Sequence, residues 1–464
     1  MFSDYSGMGS FEQAASLLSD SLLKLGVHIG EGKGFASVRT CDSGKLQQRV
    51  LRLLAPKHVF TDLMEQIPEH DVSSLRKIQT FYQAKYQKEL AAGKPKADLQ
   101  RTLGLQLVQS MKDRLQDIDF KKTAQCLLHE NSCPLDDTCI EDGLRVLCAG
   151  TTCTDMSTSN QERPGLFGNT LLPMLVWLQA AIAAQHDIII HECTPSFPQW
   201  VLRFFMEDDF DVQSRVWCPT DVGVPARRKR IYSIAFRKSS MIPTTPGISY
   251  AGPEFEDLFF RNTRARANVF LWQGSNPSEE MLKRLADKRK IVFEVGGGSD
   301  WTAESLMPTG HYERLQAYRR LAEEQDPHAQ WYANLEQSPD IRCVLSKEVL
   351  PSLLTGSEVF MLGAHAHNRY MEPLELMSSL LWPVLPHHES TNKLVWGNVM
   401  PLTSYNQMKR LAGNGMSLIQ VGSVLLFALA SHRKRAISAP EAPPSACDDD
   451  QGDDDDDDDV DIGH

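Results

Sequence analysis

The sequence predicts an α/β protein: a largely parallel sheet with helices on both faces, a smaller second domain and a disordered acidic tail. Three observations carry this. Short apolar strands alternate with helices along residues 1–65 and again along 144–237, the pattern of βαβ units. The alternation stops between about Arg237 and Met400, where Pro and Gly are frequent and strands look short. From Ser438 onward the chain is rich in Pro and Ala and then in Asp, too polar to bury a core.

Each element can be justified in order. MFSD starts a strand and SGMG is a tight turn. FEQAASLLSDSLLKL carries its apolar residues at helical spacing. ASVRTCD is the second strand, KLQQRVLRLLA a helix and HVFTD the third strand. Residues from about 66 to 140 are charged and helical, an insertion lying outside the sheet. LRVLCAG, the helix around LLPMLVWLQAAIAA, and DIIIHE resume the alternation. The run of isoleucines suits a strand buried on both faces. The helix QWVLRFFMEDD and the strands DVQSRVWCP and RIYSIAF complete a main domain over residues 1–239. A smaller domain spans 240–400, and residues 401–435, with the helix MSLIQVGSVLLFALA after a Gly-Asn-Gly turn, return to the main one. Residues 436–464 form the tail.

Composition narrows the class. The formal net charge is −12, but Asp448 to Asp461 holds eleven aspartates, so the rest of the chain is close to neutral. A neutral body is compatible with a local basic cleft, and the cleft is what binds phosphates. Ten cysteines at irregular spacing do not make a disulfide framework. Neither Leu171–Ala184 nor Met416–Ala430 reaches the roughly 20 residues of a membrane span, so both read as buried helices and no membrane partner is expected. Cys126, His129, Cys133 and Cys139 cluster in the insertion, but their spacing fits no paired zinc pattern, and no metal is expected.

The chemistry lies at strand ends. A Gly-rich turn after the first strand lets backbone approach a ligand at Gly7 and Gly9. An acid ending the second strand, Asp42, suits the ribose hydroxyls of a nucleoside cofactor. Its other reading is a cap for the following helix. Asp62, ending the third strand, suits an adenine amino group. Cys153 follows a strand in a polar loop, where open α/β sheets place ligands; its other reading is a buried, inert thiol. Glu192 ends the strand DIIIHE, and Arg228 and Arg230 sit two apart on one strand face. A thiol, a carboxylic acid and an arginine pair at neighbouring strand ends form a covalent site.

These segments resemble, in order, the motifs of the C5-cytosine DNA methyltransferase family over about residues 2–430. DYSGMG is similar to the first S-adenosyl-L-methionine (AdoMet) motif, and VRTCD and HVFTD to the second and third. AGTTCTDMS stands where the family carries its nucleophile loop, and DIIIHE where its Glu-Asn-Val motif lies. GVPARRKRIYSIA resembles the Gly-Val-Pro-Gln-x-Arg-x-Arg motif. NRYMEPLEL resembles the Arg…Glu element ending the target-recognition domain, and AGNGMSLIQVGSVL the final Gly-Asn helix. The resemblance implies a Rossmann-like AdoMet-dependent sheet with a target-recognition domain. It implies cofactor contacts from Tyr5, Ser6, Gly7, Met8, Gly9, Asp42, Asp62 and Asn414. Cys153 would attack C6 of a cytosine flipped out of DNA, Glu192 would act at N3, and Arg230, with Arg228 beside it, at O2. Arg261, Arg264 and Arg266 would contact the nucleic acid from the recognition domain.

Four supporting positions depart from the family pattern: Thr152, Thr154, Cys193 and Ala226 stand where it has Pro, Gln, Asn and Gln. Two other functions therefore stay open: methylation of tRNA or other RNA by the same residues, and a catalytically silent nucleic-acid-binding protein. HRKR at 432–435 reads as a nuclear signal or a solvated helix end, and a nuclear location is expected. The tail reads first as an inert solubilising segment and second as one that mimics nucleic acid or contacts basic proteins.

Overall fold

The computed structural model describes residues 1–28, 34–136, 143–158, 160–271, 277–293, 301–363, 368–384 and 396–435. The acidic tail and Cys139 lie outside these. Residues 1–60 form β1 (Phe2–Asp4), α1 (Ser10–Lys24), β2 (Arg39–Cys41), α2 (Lys45–Leu53) and β3 (His58–Phe60). The insertion holds α3 (Glu69–Ala91), α4 (Lys96–Gln116) and a small hairpin, β4 (Thr123–Gln125) with β5 (Ser132–Pro134). Next come β6 (Val146–Gly150), α5 (Leu171–Ala183), β7 (Ile188–Cys193), α6 (Trp200–Met206), β8 (Phe210–Trp217) and β9 (Arg230–Arg237).

Seven strands make one sheet in the order β3-β2-β1-β6-β7-β9-β8. The first five are parallel, as the alternation predicts. One strand is reversed: β9 runs antiparallel to both β7 and β8, so β8 points the same way as the first five. The reason lies in residues 218–229, which hold one 3-10 turn, Pro219–Val222, and no crossover helix. Without a crossover the chain can only turn back beside the strand it has left. β7 is buried along all six residues. Each isoleucine of its apolar run contributes roughly 1.5–3 kcal/mol by leaving water. α5 is buried along most of its length, with Leu175, Val176, Trp177 and Leu178 in one core with Leu103, Leu107 and Met111 of α4. The insertion thus forms an outer layer over α5 rather than a separate body.

After β9 come β10 (Met241–Pro243) and α7 (Pro253–Phe259). This stretch belongs with the sheet: Phe255 packs edge-on to Trp217 at 5.4 Å and to Phe427 at 5.5 Å. A separate core begins only at α8 (Glu279–Arg289) and continues through α9 (Ala303–Leu306), α10 (Thr309–Gln325), β11 (Trp331–Asn334), α11 (Pro339–Arg342), β12 (Leu345–Lys347) and β13 (Val359–Leu362). Its strands form an antiparallel sheet in the order β12-β11-β13. α12 (Pro373–Ser379) follows, and Arg369 makes two 2.8 Å hydrogen bonds to Glu375 with both side chains fully buried.

α13 (Trp396–Val399), α14 (Tyr405–Asn414), α15 (Leu418–Ser431) and β14 (His432–Lys434) close the chain. Lys409 of α14 reaches Glu358, just before β13, at 2.7 Å, and Arg284 of α8 reaches the same carboxylate at 2.7 Å. Burial pushes the Glu358 carboxyl up, but the Arg284 hydrogen bond and the Lys409 and Arg284 charges hold it down at about 2. α15 packs on α1, and the Met416 N–H donates to Ser10 Oγ at 3.2 Å. By length and composition Tyr405–Ser431 is apolar enough to cross a membrane, yet it is mostly buried inside the protein. The core accounts for its apolar character.

Candidate active site

Parallel strands bring their carboxyl ends to one edge, and loops leaving that edge line a cleft. Here the cleft is lined by the loops after β1, β2, β3, β6 and β7, by the start of β9, and across from them by residues around β12 and the end of α14. Asp42, Asp62, Cys153, Glu192, Arg228, Arg230 and Asn414 all line it. The register explains part of this. Gly150 at the end of β6 pairs with Glu192, and the Thr151 N–H donates to the Glu192 carbonyl at 3.2 Å. The nucleophile loop therefore starts beside the carboxylate.

The loop is held by its own polar residues. Thr151 Oγ1 lies 2.7 Å from Nε2 of buried His191, whose ring burial keeps neutral by pulling it down to about 3. The Cys153 carbonyl accepts from the Met156 N–H at 3.0 Å, and Asp155 accepts from the N–H and hydroxyl of Thr170 at 2.8 Å each. Cys153 is left half-buried. A hydrogen bond from the Cys193 thiol lowers its own thiol to about 7 against the effects of burial and Glu192, with the Arg230 and Arg228 charges assisting. Cys193 is fully buried and burial pushes its thiol well up, so it stays the donor. Cys193 thus replaces the expected asparagine with another donor. Without it, Cys153 returns towards an ordinary thiol. Cys193→Ala is expected to slow native-state alkylation of Cys153 by roughly tenfold at pH 7, because the thiolate fraction falls. The pH profile of alkylation, followed at this residue by peptide mapping, should shift to higher pH. An unchanged profile would rule out the hydrogen bond as the cause.

Glu192 is buried and forms an ion pair with Arg230, Nε to Oε1 at 3.0 Å. Arg228 does something else. Its guanidinium points to backbone carbonyls, Leu353 at 3.3 Å and Gly413 at 3.3 and 3.4 Å. Burial pulls it down to about 10, so it remains a cation at neutral pH. Arg228 therefore bridges the sheet to the segment before β13 and to the end of α14, while Arg230 meets the carboxylate.

At the other end of the cleft the Gly7 N–H donates to Asp42 Oδ2 at 2.9 Å, and the Gly44 N–H donates to Oδ1 at 2.8 Å. The capping reading of Asp42 fails, since Gly44 is the N-cap of α2 with no side-chain cap; Asp42 holds the two loop amides and lines the cleft. Asp62 likewise accepts from the Met64 N–H at 2.9 Å. Gly7 has a φ of +59° and a side chain there would point into open space. The Tyr5 hydroxyl is buried without a partner among the described residues. An open glycine cradle and an orphaned hydroxyl between two acids fit a polar nucleoside ligand. Met8 and Gly9 do not line the cleft, and Ser6 does. Ser6 ties the loop to β2 through the Cys41 backbone, Oγ to carbonyl at 3.2 Å. Met8 is buried in the core, and a Cβ at Gly9 would fall 2.0 Å from Leu54 Cδ1. These three are structural in their contacts, although Ser6 also borders the cleft.

The cleft is basic where the sequence does not draw attention. Arg76, Arg227, Lys229 and Arg342 line it beside Arg228 and Arg230. Arg261, Arg264 and Arg266 do not. They are exposed on a segment whose backbone runs along the 219–223 turn, with the Arg261 N–H donating to the Asp221 carbonyl at 2.8 Å. Arg261 donates to the Phe260 and Leu258 carbonyls, and Arg266 lies 3.6 Å from Glu348.

No family model and no curated protein matches the chain. Solved structures do resemble it. The Entamoeba histolytica methyltransferase EhMeth has a TM-score of 0.43 at 9% identity, over 92% of this chain and 96% of that one. A Spodoptera frugiperda DNMT2 mutant has 0.42 at 13%, over 92% and 98%. The S. pombe Dnmt2 methyltransferase has 0.41 at 11%, over 92% and 96%.

Proposed function

We propose that the protein is an AdoMet-dependent C5-cytosine methyltransferase acting on DNA. The observation that carries this reading is a half-buried thiol beside a buried Glu–Arg ion pair, in the same cleft as a glycine loop and two strand-end acids. Tyr5, Gly7, Asp42, Asp62 and Asn414 would hold AdoMet, which supplies an electrophilic methyl group when bound. Cytosine C5 is poorly nucleophilic and inaccessible in a stacked duplex, so the base must be flipped into the cleft. The Cys153 thiolate then forms an S–C6 bond, and the C5–C6 π electrons shift to C5. Glu192, taking up a proton from solvent as the base enters, would hydrogen-bond to or protonate N3, and Arg230 would offer its guanidinium to O2, so the ring carries less charge as the bond forms. Once C5 carries the methyl group, its proton would pass to water, the C5–H electron pair would reform the C5–C6 double bond and the S–C6 bond would break to return the Cys153 thiolate. Arg76, Arg227, Lys229 and Arg342 would face the phosphates.

DNA carrying 5-fluorocytosine tests this, because fluorine at C5 cannot leave as a proton and the adduct cannot collapse. A covalent complex dependent on AdoMet is the expected result. Glu192→Gln should slow its formation on the order of 10²-fold or more while AdoMet still binds. Adduct formation on 5-fluorocytosine tRNA but not on DNA would move the substrate to RNA. Cofactor binding without any adduct would leave the protein a nucleic-acid-binding module.

A further inference from the structure

Two thiols and two imidazoles converge on one point far from the cleft. Cys126 and Cys133 are buried on the β4–β5 hairpin, His129 lies on its exposed turn, and buried His58 opens β3. Their ligand atoms all lie within 4.8 Å of one another. His129 Nδ1 is 3.5 Å from Cys126 Sγ and 3.2 Å from Cys133 Sγ, and His58 Nδ1 is 3.9 Å from Cys126 Sγ. A tetrahedral zinc ion, with Zn–S about 2.3 Å and Zn–N about 2.0–2.1 Å, separates its ligand atoms by roughly 3.3–3.8 Å. Three of the spacings lie in or within about 0.1 Å of that range, and all lie within 4.8 Å. We propose that His58, Cys126, His129 and Cys133 form a structural zinc site.

The backbone is shaped for it. Glu130 takes a φ of +55° and its N–H donates to the Cys126 carbonyl at 3.0 Å, closing the turn that folds His129 back over Cys126. The Cys126 N–H donates to the Asn131 carbonyl at 2.9 Å, and Asn131 Oδ1 accepts from the Cys133 thiol at 3.2 Å. Phe60 and Cys126 form an isolated antiparallel bridge, and the Leu127 N–H donates to the Val59 carbonyl at 2.8 Å. Thus the hairpin is already laid against the edge strand that supplies the fourth ligand. Binding balances charge: Zn²⁺ takes the two thiolates and two neutral imidazoles, and two protons are released to solvent. Four protein ligands leave no open position, so the ion would be structural rather than catalytic. His58 sits at the amino end of β3, opposite the edge carrying Asp62, so the ion would pin the insertion to the sheet without entering the cleft. The spacing of Cys126, His129 and Cys133 alone suggests no site because the remaining ligand comes from far upstream in sequence.

The test is metal analysis of the purified full-length protein, prepared from zinc-supplemented culture. One zinc per chain is expected. Exchange for Co²⁺ should give the thiolate-to-cobalt charge-transfer absorption of a Cys-ligated tetrahedral site. Cys126→Ser/Cys133→Ser should lose both signals, whereas Cys343→Ser, at an exposed cysteine elsewhere, should keep them. His129→Ala changes an exposed side chain, and its far-UV circular dichroism should stay native while metal retention falls. Absence of stoichiometric zinc from the wild-type protein would overturn the proposal. So would zinc retained undiminished by the double cysteine variant.

Discussion

Cys153→Ser is expected to lower methyl transfer on the order of 10⁴-fold or more, the scale on which a covalent mechanism fails without its nucleophile. With its thiol at about 7, Cys153 is near half ionised at neutral pH. A serine hydroxyl there would be almost wholly protonated, and of the described residues around it the Glu192 carboxylate is tied up in its ion pair with Arg230. His191 is engaged with Thr151 and buried. The Cys193 thiol is a donor and cannot serve. Binding of AdoMet, measured by calorimetry, should change little, because the cofactor end of the cleft lies with Gly7 and Asp42. Transfer is read with labelled AdoMet and unmethylated duplex DNA. Activity that survives the substitution would show that another thiol carries the reaction, with Cys193 the neighbour to replace next.

Arg369→Ala is expected to destabilise the protein by about 3–5 kcal/mol, since it strands a buried carboxylate. Glu375 is fully buried and receives both Arg369 hydrogen bonds, while its Oε2 also accepts from the Glu372 N–H at 3.0 Å. The pair therefore sets the start of α12. Replacing both partners by apolar side chains, Arg369→Met with Glu375→Leu, should cost much less than either single change, because no charge is left unpaired. Urea denaturation of the three variants against wild type measures this. A single-variant loss below about 1 kcal/mol would mean that water reaches the carboxylate.

Much of this architecture is legible in the residues. The five parallel strands follow from apolar runs between amphipathic helices. Cys153, Glu192 and Arg230 follow from the rule that such sheets place chemistry at their carboxyl edge. What sequence reasoning misses is whatever depends on a partner distant in the chain. Cys193 reads as a lost asparagine until its thiol is seen against Cys153. Arg228 reads as a twin of Arg230, but its guanidinium meets carbonyls from residues 353 and 413. Arg261, Arg264 and Arg266 attract attention as a cluster, whereas the cations lining the cleft come from three segments: Arg76, Arg342, and Arg227 with Lys229 beside the arginine pair. α10 lies in a stretch where Pro and Gly suggest irregular structure, and Pro308 only opens that helix. The antiparallel turn at β8 and β9 depends on a short link, which strand periodicity does not report.

The packing of α15 on α1 sets an order of events during synthesis. α1 and its partner α15 lie some four hundred residues apart in the chain, so during synthesis the apolar face of α1 and the loop at Gly7 stay uncovered until residues 418–431 are made. The small core of α8, α10 and β11–β13 can gather in the meantime, being nearly continuous in the chain. The main sheet must wait, exposed, for residues 418–431. Until then the unpaired edge and apolar face of the sheet need protection, and the cleft lacks the wall supplied by residues 413–416.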